Sequence, residues 1–526
     1  MSVDQLKESA WFDGAWYQAR YPDVAMSGMA PERHYLTLGE GWGRRPGPEF
    51  DPVWYLDEYP DVARAGISPL LHFIRHGEGE GRLPVRVAAL EHEQALWRQH
   101  AGDPAPSLAA LEALLISPSQ REASYAAWAL ARWYAWRGDW TRVAELLTER
   151  DSAAESLPQS PAPRLLEVEA LIRLERFAPA AQRLTVLEAA APEYHDAALA
   201  RANLLAARAL AAGEPGRFDA ERLALINGVW RRHDLAQVGL ANIDIALGLD
   251  ALVADQSRSY DSSLTVHNSS LITVIVPAFN AETSLPTALA SLAAQRGVTL
   301  EVIVVDDAST DGTAEVAEAF AAHDARFRLL RQPFNQGAYA ARNRGLAAAR
   351  GELITVHDSD DWSHPGKLAV QAQGLEAHPE WMACNSHWVR CTPALVFGHW
   401  RLEQGWIYRN TSSLMFRRRV FDTLGFWDRV RVDADTEYYY RIRAAFGGAA
   451  LGEVLPGVPL AFGRSAAQSL SQAGPTHLVT QFAGVRRDYQ QAALAWHRNA
   501  ADGLQRLYLS AHPDRRPFTA PAAMLP

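Results

Sequence analysis

The stretch "ELITVHDSDDW", residues 352–362, ends an apolar run on three carboxylates within four positions: Asp358, Asp360 and Asp361. A solvated turn tolerates that much charge, so the surrounding texture decides its meaning. Upstream, "LITVIV" (271–276), "LEVIVV" (300–305) and "RFRLLR" (326–331) are short strand-like runs, and "ELITV" (352–356) is the fourth. Helical stretches separate the first three, and "GAYAARNRGLAAAR" separates the third from the fourth. Continuous apolar strands alternating with helices predict parallel βαβ units covered on both faces. In such sheets ligand-binding groups collect beyond the carboxyl ends of the strands. "PAFN" (277–280), "DDAS" (306–309) and "HDSDD" (357–361) all fall there.

Asp306, Asp307, Asp358, Asp360 and Asp361 on one rim would repel one another and raise one another's pKa values. A divalent cation removes the conflict. All-oxygen ligands suit Mg²⁺ or Mn²⁺, with a substrate diphosphate completing the shell. For "DSDD" alone, an acidic turn or helix cap is the competing reading.

Read together, "LITVIVPAFNAETSLPTALASLAAQ…LEVIVVDDASTDGT…NQGAYAARNRGLAAARGELITVHDSDDW" resembles the inverting family-2 glycosyltransferases of the GT-A fold. The resemblance runs from residue 271 to roughly 470. It implies a nucleotide-diphosphate sugar donor (a UDP-sugar favoured), Mn²⁺ or Mg²⁺, and a glycan or lipid-linked saccharide acceptor. By the same resemblance Pro277, Ala278, Asn280 and Glu282 line the nucleotide pocket, and Asp307 accepts a hydrogen bond from the base. Asn335 and Gly337 shape that wall, Arg342 lies near the nucleotide, and Asp358 and Asp360 form the D-x-D signature. Asp360 and Asp361 contact the ribose and the metal, in an order the sequence leaves open.

Transfer with inversion also needs a carboxylate to take the acceptor's proton. "RVDADTEYYYRIRAAFG" (431–447) resembles the family's acid-x-acid segment opening a helix. That match implies Asp435 as the base with Glu437 beside it. Asp433, two residues upstream, competes, and a plain N-cap acid is the alternative to both. Where the family often has Glu-Asp, this chain has Ala434-Asp435. The Gln-x-x-Arg-Trp segment of processive synthases is absent, so single or limited sugar additions are expected. Trp406, Thr411 and Ser412 could face sugar hydroxyls or serve the core.

Outside this region, "FDGAWYQARYPDVAMSGMAPERHYLTLGEGWGRRP" returns 38 residues later as "FDPVWYLDEYPDVARAGISPLLHFIRHGEGEGRLP". Each unit reads as short helices broken by Pro and Gly around aromatic residues. No strand precedes "GEGWG" or "GEGEG", so these read as turns and not phosphate loops. His34 and His72 read as packed or capping. The segment "AAWALARWYAWRGDWTRVAELLTER" has the look of a tetratricopeptide-like hairpin, which supports or recruits more often than it catalyses.

The expected architecture is multidomain α/β plus α: a GT-A (Rossmann-like), mostly parallel sheet domain preceded by an all-helical region. Its parts are tandem repeats over 11–84, a TPR-like helical domain over 85–250, a polar linker over 251–270, the sheet domain over 271–475, and a helical extension and tail over 476–526. Protein partners would engage the helical N-terminal region.

The balance of 51 Lys plus Arg against 61 Asp plus Glu, net −10, argues against a nucleic-acid partner. Two cysteines, Cys384 and Cys391, match no zinc or redox spacing and read as buried thiols in a reducing compartment. "MSVDQLKESAW" has no apolar core, and no run of 18 apolar residues occurs, so neither signal peptide nor bilayer span is expected. A cytoplasmic enzyme, free or peripheral at the inner membrane, fits. Two other functions compete: a sugar nucleotidyltransferase, for which "PAFNAE" is a poor first loop, and a non-catalytic sugar-nucleotide-binding or scaffold protein.

Overall fold

The computed structural model describes residues 3–7, 9–148, 160–242, 245–254, 270–465, 474–500, 503 and 507–526. Most of the expected linker, residues 255–269, lies outside them. The chain divides into two compact units: Met1–Leu174 with Arg401–Gln404, and Glu175–Trp400 with Gly405–Pro526.

In the first unit both 38-residue segments follow one succession. Asp13 and Asp51 cap the helices Gly14–Arg20 and Pro52–Glu58, accepting from backbone N–H groups of the first turn. The helices Pro22–Met26 and Pro60–Ala65 start on proline, whose missing N–H is unneeded there. Helices Pro31–His34 and Pro69–His72 then widen into π-helical turns, Tyr35–Gly39 and Phe73–Gly77. The Tyr17 hydroxyl lies 3.2 Å from His34 Nδ1 and the Tyr55 hydroxyl 3.0 Å from His72 Nδ1. A Cβ on Gly39 would sit 2.0 Å from the Tyr17 oxygen, and one on Gly77 2.2 Å from that of Tyr55. These glycines exist so that a tyrosine can press against the turn.

Helices Ala88–Arg98, Ala105–Leu114, Gln120–Arg137, Trp140–Thr148 and Ala162–Arg173 complete this unit. Gly138, at φ 76°, ends the long third one. Among these helices, buried Glu93 accepts from Arg132 at 3.0 Å and from Arg401 at 3.0 Å. Burial would raise its pKa, but the two guanidinium groups outweigh it and hold the carboxyl at about 2.

The second unit opens with helices α1 (Phe177–Ala190), α2 (Asp196–Ala211) and α3 (Asp219–Arg231), then a ribbon of β1 (Val238–Leu240) and β2 (Leu252–Ala254). Its main sheet is built on β3 (Leu271–Ala278), β4 (Thr299–Asp306), β5 (Phe327–Arg331) and β6 (Leu353–Val356). These alternate with α4 (Leu285–Ala293), α5 (Thr313–His323) and α6 (Ala338–Ala348). After β6 come β7 (Trp362–Ser363), α7 (Lys367–Ala377), β8 (Ala383–Asn385), β9 (His387–Cys391), β10 (Phe397–Gly398) and β11 (Tyr408–Arg409). Then follow β12 (Met415–Arg417), α8 (Arg418–Leu424), α9 (Ala434–Phe446), β13 (Leu451–Glu453), β14 (Pro459–Arg464) and α10 (Val485–Asn499).

The seven-stranded order is β13-β8-β12-β6-β3-β4-β5. β3, β4, β5 and β6 pair in parallel, and β12 runs antiparallel to both β6 and β8. Seven of the eight residues of β3 are buried, as a strand covered on both faces requires. Gly345 lets α6 lie close on β3, since a Cβ there would meet Ile275 at 2.4 Å. A smaller sheet, β10-β9-β14-β7 with β11 on β9, adjoins it.

Helices α2 and α3 pack against this smaller sheet, and α1 packs on α2. The Asn203 amide bonds both the N–H and the carbonyl of Phe397, at 2.8 and 2.7 Å. The Trp230 indole N–H donates to Pro459 O at 2.8 Å, and Arg222 donates to Ala394 O at 2.7 Å. Cys384 and Cys391 are buried and unpaired with each other. Among the described residues no helix is long and apolar enough to cross a membrane.

Candidate functional site

Helix α6 is where the rim acids meet. The residues entering it are held by Asp307, whose carboxylate accepts from Gln336 N at 2.8 Å, Gly337 N at 2.7 Å and the Gln332 amide at 2.6 Å. Gly337, at φ 88°, makes that turn in the left-handed region which glycine favours. Two residues later Tyr339 donates its hydroxyl to Asp435 Oδ1 at 2.9 Å. Three residues further, Arg342 Nη2 donates to Asp358 Oδ1 at 2.6 Å. The i, i+3 spacing puts Tyr339 and Arg342 on one face, and the guanidinium lies 4.8 Å over the tyrosine ring. One helical turn and its approach thus tie the ends of β4 and β6 to the start of α9.

Arg342 is only 5% exposed, and its Nε and Nη1 have no hydrogen-bond partner in the protein. Unpartnered N–H groups on a buried cation are expensive. They are suited to an anion. His357, also buried, donates through Nδ1 to Asp358 O, 2.8 Å away, and leaves Nε2 unpartnered.

The acids after β6 carry strain of the opposite sign. Burial first, and the charge of Asp358 second, push Asp360 up to about 6. Asp361 is raised by burial, then by Asp360 and Asp358. Opposing this, Arg464 N donates to Asp361 Oδ1 at 3.1 Å, and the Arg390 guanidinium lowers both. Lys367 contributes a buried ammonium whose pKa burial lowers to about 8, and it donates to Ser413 at 2.8 Å. A divalent cation would favour the charged form of the two acids, and their all-oxygen chemistry fits Mg²⁺ or Mn²⁺. No three ligand atoms of the rim come within 4.8 Å of one another among the described residues. One or two carboxylates at a time is what such a cation takes when phosphate oxygens fill its shell.

The three acids around α9 separate cleanly. Asp433, at φ 74°, is buried and accepts from Arg486 at 2.5 Å and Gln490 at 2.7 Å, both on α10. Glu437 is buried between Arg441, at 2.9 Å, and His497, at 2.9 Å. Asp435 is half-buried; Oδ1 takes the Tyr339 hydroxyl and the N–H of Thr436 at 2.8 Å.

At the β3 end, Ala278 O accepts from Asp307 N at 2.8 Å, which sets Pro277 and Ala278 beside the second acid. Asn280, at φ 49°, accepts from Thr310 N at 2.9 Å, and Glu282 accepts from Gly312 N at 3.0 Å. Both therefore brace the loop after β4. Asn335 is exposed, between Phe334, 63% exposed, and the Gln336 N–H held by Asp307. Trp406 is fully buried and Ser412 bonds the Asn410 amide at 2.9 Å, so both serve the local structure. Tyr339, Lys367, Arg390 and Arg464 belong to the site without having been singled out from the sequence. Only Tyr339 carried a local signal, its helical spacing from Arg342.

Residues 273–427 match the family model Glycosyl transferase family 2. The chain is 44% identical over 106 residues to the succinoglycan biosynthesis protein ExoO of Rhizobium meliloti (strain 1021), covering 20% of this chain and 30% of that protein. It is 42% identical over 93 residues to the glycosyltransferase GlyG of Streptococcus pneumoniae serotype 4, covering 18% and 31%. The chain spans about a third of the length of the curated relatives it matches. Among solved structures it is similar to the mannosyltransferase PcManGT from Pyrobaculum calidifontis in complex with GDP-Man and Mn²⁺, at 20% identity and a TM-score of 0.34, over 47% of this chain and 76% of that one.

Proposed function

We propose that the sheet-bearing unit is a metal-dependent, inverting glycosyltransferase that moves a sugar from a nucleotide-diphosphate donor to an acceptor hydroxyl during glycan or polysaccharide assembly. The observation that carries this reading is the gathering of Asp307, Asp358 and Asp435 onto the first turn of α6 and its approach. The family-2 match over 273–427 supports the reaction type, and the role of ExoO in succinoglycan biosynthesis supports the setting.

Each group then has a task. Arg342 turns its unpartnered N–H groups toward the donor's diphosphate. Asp360 and Asp361 hold Mn²⁺ or Mg²⁺, which when bound neutralises the departing diphosphate. Asp307 uses three of its roughly four lone-pair sites on the 332–337 wall, leaving one for the base of the nucleotide. Pro277, Ala278, Asn280, Glu282, Asn335 and Gly337 form the pocket's backbone walls.

Asp435 is the base. Asp433 and Glu437 are held by Arg486 and Arg441, whereas Tyr339 fixes only Oδ1 of Asp435 and leaves Oδ2 for the acceptor. The acceptor oxygen forms its bond to the anomeric carbon as the bond to the diphosphate oxygen breaks. The hydroxyl proton passes to Asp435, the electron pair leaves with the nucleotide, and in-line displacement inverts the anomeric centre. A UDP-sugar is the favoured donor, and a glycan or lipid-linked saccharide the acceptor.

The test is a panel of UDP-, GDP- and dTDP-sugars with Mn²⁺, read by thermal shift and by nucleotide release. One donor should stabilise the protein and be turned over. Asp435→Asn should bind that donor within about threefold of wild type while turnover falls roughly 10²–10⁴-fold. Turnover unchanged in Asp435→Asn refutes the assignment of the base. Donor binding with no turnover by wild type would favour the non-catalytic binding role.

A further inference from the structure

A second cluster of side chains of the metal-ligating types lies in the same unit, built by elements that the transfer chemistry does not use. His195 stands at the start of α2, and His233 follows the last turn of α3. Their Nε2 atoms face each other at 2.8 Å. The Glu193 carboxylate joins them, so that one ligand atom from each of the three side chains lies within 4.8 Å of the other two. The two segments are also tied by Arg232, which donates to Pro192 O at 2.7 Å. His233 N closes a turn onto Trp230 O at 3.0 Å, so its imidazole projects from a fixed backbone.

The chemistry of this trio is specific. His195 is 4% exposed, and its Nδ1 has no hydrogen-bond partner in the protein. With Nδ1 unpartnered, the Nε2 atoms are the polar contact between the two rings, and two neutral imidazoles facing in this way can share only one proton. A cation between them uses both lone pairs. Glu193 is exposed and gives an entry path from solvent. Two imidazole nitrogens and one carboxylate oxygen are the ligand set of a borderline cation such as Zn²⁺, unlike the all-oxygen rim near Asp360.

We propose that Glu193, His195 and His233 bind one Zn²⁺-class ion, with water in the remaining position, as a clip between the α1–α2 turn and the end of α3. Ligand bonds of about 2.0–2.1 Å at tetrahedral angles require the two nitrogens to part by roughly half an ångström, to about 3.3 Å. The clip bears on the smaller sheet through Trp230, one turn upstream. Its indole packs 4.8 Å from His364 and 5.8 Å from Trp362, the residue after Asp361.

The experiment uses the full chain freed of metal, titrated with Zn²⁺ by calorimetry and with Co²⁺ as an absorption probe. Asp360→Asn, whose rim is weakened for cations, should take up one equivalent and gain thermal stability. Wild type should show the same equivalent beside any uptake by the rim acids. The two substitutions in the trio are made in the Asp360→Asn background. His233→Gln should lose more than about 100-fold in affinity, beyond what an outer hydrogen-bond partner costs. Glu193→Gln, at an exposed position, should weaken binding without changing the melting temperature of the metal-free protein, which covers the case of a misfolded His233 variant. Uptake that survives both substitutions, uptake only at millimolar Zn²⁺, or none by wild type overturns the proposal.

Discussion

Removing a charge from the rim should make the metal-free protein more stable. Asp360 rises from 3.8 to about 6 through burial and the neighbouring Asp358 charge. A folded-state pKa above the unfolded value means that the contribution is fully present below pH 3.8 and is lost as pH rises through about 6. For one such group the cost is on the order of 3 kcal/mol at pH 7.5 and about half of that at pH 5. Asp360 is only partly buried and solvent screens some of this cost, so Asp360→Asn should gain about 1–2 kcal/mol at pH 7.5, or roughly 2–5 °C in melting temperature. Thermal melts in EDTA at pH 5, 6 and 7.5 measure this, and the gain should shrink toward low pH. Added Mn²⁺ should reverse the ranking, since only wild type keeps both acids. A variant that is destabilised in EDTA at pH 7.5, or a gain that is the same at pH 5, refutes the view that crowded carboxylates strain this site.

Three further outcomes can be checked. Tyr339→Phe removes the donor to Asp435 Oδ1, and turnover should fall about tenfold with donor KM little changed, as for one charge-assisted hydrogen bond; equal turnover would detach the phenol from catalysis. Arg342→Met should weaken donor binding by about 10–100-fold, measured by calorimetry with the nucleoside diphosphate, because a buried guanidinium with two open N–H groups is lost. Gly39→Ala and Gly77→Ala should each destabilise the first unit by about 1–3 kcal/mol, seen as faster limited proteolysis, because the new methyl overlaps a tyrosine hydroxyl; a combined Tyr17→Phe should partly rescue Gly39→Ala.

The parallel part of the sheet was legible because strands buried on both faces write themselves as unbroken apolar runs. "LITVIV" and "LEVIVV" match β3 and β4 to within two residues at each end. The rim acids stood out for the same reason, since charge directly after such a run is locally conspicuous. What the sequence could not reveal is which acids were already engaged. Asp433 meets Arg486 across 53 residues and Glu437 meets His497 across 60, and no spacing rule links such pairs. The Tyr339–Asp435 contact spans 96 residues, and the Glu193–His195–His233 trio escaped notice because it forms only when two helix ends pack together. The smaller sheet was hidden too, its strands of two to six residues being too short for any period to show.

The anchoring of α2 and α3 by Asn203, Arg222 and Trp230 sets where this gene can be cut. Sequence kinship to transferases begins at residue 273, yet the compact body that contains it begins at Glu175, about a hundred residues earlier. A truncation guided by kinship alone would tear side chains from the backbone of Phe397, Ala394 and Pro459 and leave those peptide groups stranded. The smallest piece able to travel between proteins with its buried contacts whole therefore includes helices that lie outside the stretch matched to the family.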